Sequence, residues 1–125
     1  MVTDRKIMIP GPDHPIAIEP SSSRVRIRFG DRLIADTTSA LELREADYAP
    51  VLYIPRADAD LEQLEASDHS TYCPFKGDCS YFSIAGGKAQ GLNAAWTYEA
   101  PFEAVRAIAG HLAFYPDRVT IEKLD

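Results

Sequence analysis

Hydrophobic and polar positions alternate most clearly in "RVRIRFGDRLIAD", residues 24–36. Val25, Ile27 and Phe29 fall on one side and Arg24, Arg26 and Arg28 on the other, the period of two that an extended strand imposes on its faces. Gly30-Asp31 supplies a turn before a second run, Leu33 to Asp36, so the stretch predicts a hairpin. "LELRE" and "VLYI" predict two further short strands, 41–45 and 51–54, closed by Pro50 and Pro55. Strands resume at 79–85 ("CSYFSIA") and 92–99 ("LNAAWTYE"), joined by a loop with Gly86, Gly87 and Gly91, which is the best hairpin in the chain. "HLAFY" then turns at Pro116-Asp117 into "RVTIEKL", where Val119, Ile121 and Leu124 are candidate core residues.

Helical signals are fewer. "DADLEQLEAS" offers Asp58 or Asp60 as an N-cap and Leu61 and Leu64 three apart, which predicts a short helical turn. "PFEAVRAIAG" predicts an α-helix over 102–109, with Pro101 in the first turn, Phe102, Val105, Ile108 and Ala109 on one face and Gly110 as the stop. Residues 10–23 hold four of the chain's nine prolines and predict an extended arm, residues 1–20, across a single domain spanning 1–125. Many short strands with one late amphipathic helix indicate a mainly β fold of two packed antiparallel sheets.

Charge and cysteine content narrow the function classes. A net charge of −6 and a pI near 5.0 oppose a broad grip on nucleic acid, so no nucleic-acid partner is expected. The apolar run Ile7-Met8-Ile9 is too short for a secretory signal and no stretch is long enough for a membrane helix, which predicts a cytoplasmic protein without a membrane partner. In that compartment thiols are kept reduced, so Cys73 and Cys79 are not read by default as a structural disulfide, and two cysteines are too few for a cysteine-only zinc site. "GGKAQG" fails the phosphate-loop pattern at Phe82 and Ala89 and joins two strands instead of opening a helix, so it is read as a hairpin tip. No cofactor and no metal are expected.

The densest chemistry lies in "STYCPFKGDCSYF", residues 70–82. Pro74 and Gly77 fix a turn on which Cys73 and Lys76 can share a side, and a nearby ammonium favours thiolate, so Cys73 is a candidate nucleophile and Lys76 a candidate anion clamp. Cys79 reads as a packed thiol. His69 stands close before the turn as a possible base, while His14 and His111 carry even less signal. Trp96 and Tyr98 share one strand face, and Cys79, Tyr81 and Ser83 share a face of the strand expected to pair with it, which together would make an aromatic wall. Arg26, on the basic face of its strand, can hold a carboxylate. Glu45 shares a face with Leu41 and Leu43, and such an inward acid requires a cationic partner, Arg26 or Lys76.

At "CPFKG" followed by "YF", then "AAWTYEAP" and "IAGHLAFY", the sequence resembles the bacterial and fungal family known as domain of unknown function 427. The resemblance runs from "HPI" at His14 through "RVRI", "IADT" and "YIPRAD" to the closing strand. It implies a β-tent fold, two antiparallel sheets leaning together, and it singles out Arg26 and Glu45. Related β-tent proteins often hold zinc between two Cys-x-x-Cys pairs, which the one Cys-x5-Cys here does not supply. A nucleotidyltransferase-like label goes with the family and implies no mechanism.

Two functions follow. In the first, the domain binds a small anionic or polar-aromatic metabolite in a cleft beside the CPFKG turn, lined by Tyr81, Trp96 and Tyr98, with Arg26 and Lys76 fixing charge. In the second, it is an enzyme whose reaction class the sequence leaves open, a transferase-like one among the options, in which Lys76 neutralises developing negative charge while Glu45 or Cys73 handles a proton or forms a covalent intermediate. Binding ranks first, because every residue named can bind and few are arranged to react.

Overall fold

The computed structural model describes residues 5–124. Residues 1–4 of the expected arm, and Asp125, lie outside the described residues. Ten strands follow in chain order: β1 (Ile16–Pro20), β2 (Arg24–Phe29), β3 (Arg32–Thr37), β4 (Leu41–Glu45), β5 (Val51–Tyr53), β6 (Leu64–Cys73), β7 (Gly77–Ile84), β8 (Ala95–Thr97), β9 (Ala113–Phe114) and β10 (Thr120–Leu124). A single α-helical turn, α1 (Lys88–Gly91), lies between β7 and β8. All strand pairs are antiparallel. The fold is mainly β, as the alternation predicts.

The strands form three sheets instead of the expected two: β1-β4-β5, β10-β2-β3 and β6-β7-β8-β9. The extra sheet exists because the proline-rich arm is not wholly irregular. Ile16 and Ile18 alternate with Ala17 and Glu19 between Pro15 and Pro20, and the run pairs with β4 in the register Ile16↔Glu45 and Ile18↔Leu43. Proline bars a helix and a central strand, yet permits an edge strand of this kind. Before it, the chain folds back on itself through paired Gly11 and His14 hydrogen bonds of 2.9 and 3.2 Å.

The α-helix expected over 102–109 is 3₁₀-helical over Glu103–Ile108, broken at Val105 (φ −126°, ψ 24°). Only a few residues separate Phe102 from Gly110, which is too short a segment to offset the cost of helix nucleation. Val105 and Ile108, three apart, are fully buried, as a threefold turn allows, whereas Ala109 of the expected face is exposed. The "DADLEQLEAS" turn is also 3₁₀, over Leu61–Gln63, capped by Asp60 accepting from the Glu62 N–H, and a second 3₁₀ turn, Arg56–Asp58, runs into its start. Helix ends there and a strand begins: β6, unmarked by any alternation, is an edge strand exposed along most of its length.

Two buried clusters result. One joins Val25, Ile27, Ile34, Ile54, Ile84, Leu112 and Phe114. The other, built of Leu43, Tyr53, Cys79, Tyr81, Tyr98, Val105, Ile108 and Ala113, is rich in polar-tipped side chains, and the candidate site opens beside it. Among the described residues no helix is long and apolar enough to cross a membrane.

Candidate functional site

The β6–β7 hairpin closes at Cys73-Pro74-Phe75-Lys76-Gly77, where Cys73 and Gly77 are in register and the Lys76 N–H donates to the Cys73 carbonyl at 3.1 Å. Pro74 presets the first turn dihedral. Gly77 takes φ 110°, a backbone shape that essentially only glycine holds without strain. The turn is fastened from outside by the Phe102 N–H donating to the Lys76 carbonyl at 2.9 Å and the Met8 N–H donating to the Pro74 carbonyl at 2.9 Å. Lys76 is thereby folded inward and buried.

Its partner is Glu45, the last residue of β4. The Lys76 ammonium donates to Glu45 Oε1, and His14 Nε2 lies 2.7 Å from Glu45 Oε2. An ionised carboxylate only accepts, so His14 Nε2 is the donor. The His14 ring is itself fixed by stacking on Phe75, centroids 3.9 Å apart and planes 7° from parallel. Burial pushes the Glu45 carboxyl up, but the hydrogen bonds from Lys76 and His14 outweigh it and hold the group below its ordinary value. Lys76 Nζ also reaches Cys73 Sγ at 3.9 Å.

Beyond this pair opens a cavity of about 270 Å³ between the β1-β4-β5 and β6-β7-β8-β9 sheets. Leu43 and Glu45 of β4, Val51 and Tyr53 of β5, Lys76 of the β6–β7 turn, Cys79 and Tyr81 of β7 and Trp96 of β8 line it, with Tyr48, Ala49, Tyr98 and Tyr115 from the other connections. Five of the chain's six tyrosines therefore face one hollow. Tyr81 and Trp96 are cross-strand partners. The Trp96 indole donates to the Tyr53 hydroxyl at 3.3 Å, its ring edge-on to that of Tyr53, and its other neighbour is Tyr115 with centroids 4.5 Å apart. The Tyr81 hydroxyl is 3.0 Å from Thr71 Oγ1. Burial raises the pKa values of Tyr53, Tyr81 and Tyr98, so their hydroxyls stay protonated and able to donate.

Of the residues chosen from sequence, the structure gathers Lys76, Glu45, Tyr81, Trp96 and Tyr98 around this cavity and sets Cys73 beside Lys76. Arg26 is elsewhere. It lies on β2 in another sheet, its Nε 3.5 Å from Asp36 Oδ2, and its neighbours Arg24 and Arg28 pair with Asp36 and Glu122 on the flanking strands. The basic strand face is thus answered by acids of β3 and β10, and Glu45 takes Lys76 and not Arg26 as its cation. Both cysteines are free. Cys79 is buried, and burial raises its pKa, which makes it the packed thiol expected.

Sequence reasoning passed over His14, Tyr48, Tyr53 and Tyr115. His14 had one signal, its place in "HPI" at the head of the resemblance. The three tyrosines had none, because they reach the cavity only through the pairing of β4 with β5 and the chain's return after β9. Among the described residues no three His, Cys, Asp or Glu side chains gather as a metal site.

No curated relative matches the chain. A sequence model of the family described as Domain of unknown function (DUF427) matches residues 17–125, a span that begins just after His14 and holds every other residue of the site, and the chain belongs to that family.

Proposed function

We propose that the cavity binds a small, flat, polar-aromatic metabolite. The observation that carries this reading is the lining itself: five tyrosines and Trp96, with apolar faces for stacking and polar tips for orientation, beside a buried ion pair. The alternative of an anionic ligand loses support with Arg26 on another sheet and Lys76 already neutralised by Glu45. The Lys76 ammonium still has a donor to spare, enough to fix one acceptor on a ring.

The test uses the chain's only tryptophan, which lines the cavity. A metabolite library is screened by thermal shift, and hits are titrated by Trp96 fluorescence. A hit that stabilises the wild type, changes the emission and fails to stabilise Trp96→Ala supports the reading. A screen without hits, or hits that stabilise Trp96→Ala equally, sinks it.

A second reading has one specific observation in its favour. Glu45 bridges Lys76 at the cavity wall to the half-exposed His14, a route by which a proton can pass between ligand and solvent. On this reading the protein is an enzyme in which Lys76 faces the reacting group, with Cys73 close by. Conversion of a bound hit, slowed far more by Lys76→Met than binding is weakened, separates catalysis from binding.

A further inference from the structure

A second hollow of about 270 Å³ adjoins the first, and Tyr81 and Tyr115 line both. Its polar wall is made of His69, Asn93, Asp117 and Arg118. The ladder between β6 and β7 breaks between Ala66 and Ser70. Such breaks bend a strand and re-aim its side chains, and His69 sits within this one, its ring 4.6 Å from that of Tyr81. Asn93 holds a left-handed backbone, φ 50°, with its N–H donating to Ser83 Oγ at 2.9 Å. Asparagine is among the residues that tolerate that conformation best. Its side-chain Oδ1 is buried and, among the described residues, meets no donor. The Arg118 guanidinium is held in place by Nη1, which donates to the Ala89 carbonyl at 2.6 Å and the Gln90 carbonyl at 3.3 Å.

The wall of the hollow thus combines an amide and an acid with an imidazole and a guanidinium. A hydroxyl donates and accepts through the same atom and so satisfies both kinds of wall. A phosphate or carboxylate only accepts and would stand against Asp117. A hydrocarbon would satisfy none of them.

We infer that the second hollow is the subsite for a hydroxyl-rich, sugar-like arm of the same ligand, carried on the ring that occupies the Trp96 cavity and passing the Tyr81 and Tyr115 side chains. This rests on the ring-binding reading above and extends it to a ligand class: an aromatic ring joined to a polyol or sugar.

The experiment compares adenine, uracil and phenol with adenosine, uridine and phenyl β-D-glucoside. Affinities come from Trp96 fluorescence, and occupancy of the second hollow from NMR shifts of the Asn93 side-chain amide and the His69 ring. The sugar-bearing probes are expected to bind at least about tenfold more tightly than their rings and to shift the Asn93 and His69 signals. Asn93→Gly removes the side-chain amide from the wall while keeping the left-handed backbone allowed, and His69→Ala changes an exposed side chain. Each is expected to shrink the gap and leave ring affinity unchanged. Equal affinity for rings and sugar-bearing probes, or a gap that survives both substitutions, overturns the arm subsite while ring binding stands. Silence of Trp96 toward all six probes overturns both.

Discussion

Lys76 and Glu45 meet as an ion pair with side chains only 8% and 14% exposed, although they come from a hairpin turn and the end of a strand in different sheets. Removing one partner from a buried pair leaves the other without compensation, which typically costs about 3–5 kcal/mol, whereas replacing both with apolar groups is often neutral or better. Lys76→Met is therefore expected to lower the urea midpoint strongly, and Lys76→Met with Glu45→Leu to recover much of the loss. A double variant whose loss equals the sum of the losses of Lys76→Met and Glu45→Leu alone would show that the pair is not coupled.

The same pair sets a pH dependence. Glu45 titrates below its ordinary value of 4.5 in the folded chain, so the folded state binds the proton less readily than the unfolded one. Its contribution to stability is complete above about pH 4.5 and is lost as the pH falls through the depressed folded value. Denaturation of wild type and Glu45→Gln between pH 3 and 7 is expected to show a constant gap at the upper end that narrows below 4.5. A gap that widens with acid contradicts the assignment.

Site placement separates two residues that the sequence had grouped. Against a ligand found by screening, Arg26→Gln is expected to bind as the wild type does, because Arg26 answers Asp36 on another sheet. Trp96→Ala is expected to weaken binding at least tenfold, about 1.4 kcal/mol. Calorimetry of the two variants reads this directly.

Gly77→Ala is expected to cost about 1–3 kcal/mol through backbone strain. A Cβ there would lie 3.6 Å from the Ala100 carbonyl oxygen, ordinary contact, so the penalty comes from φ 110° and not from crowding. Gly11→Ala, with open space and no positive φ, serves as the neutral control. Thermal unfolding of both proteins checks the contrast.

What could be read from the chain depended on whether the relevant signal was local. β2, β3 and the Tyr81–Trp96 face follow from alternation within a few residues, and the structure keeps them. β6 was invisible because an exposed edge strand, "LEASDHSTYC", need not alternate. The 102–109 segment carried an apolar spacing of three that an α-helix and a 3₁₀ turn share, and only its shortness favours the latter. In the site, Lys76 and Glu45 were recognisable as residue types that need partners when buried. Which partners they take depends on which sheet each strand joins, and Arg26 and His14 exchanged places on that point alone.

Because β10 pairs with β2 along the whole register from Thr120↔Arg28 to Leu124↔Arg24, a strand made early waits for one made last. On the ribosome the β10-β2-β3 sheet must stay one strand short until the segment around Thr120 to Leu124 emerges. Pairings so distant in sequence slow folding. Asp36 of β3, which quiets Arg24 and Arg26, is available at once, but Arg28 and the outer edge of β2 stay unpaired in the nascent chain until β10 is made, an open edge that a holdase chaperone would meet.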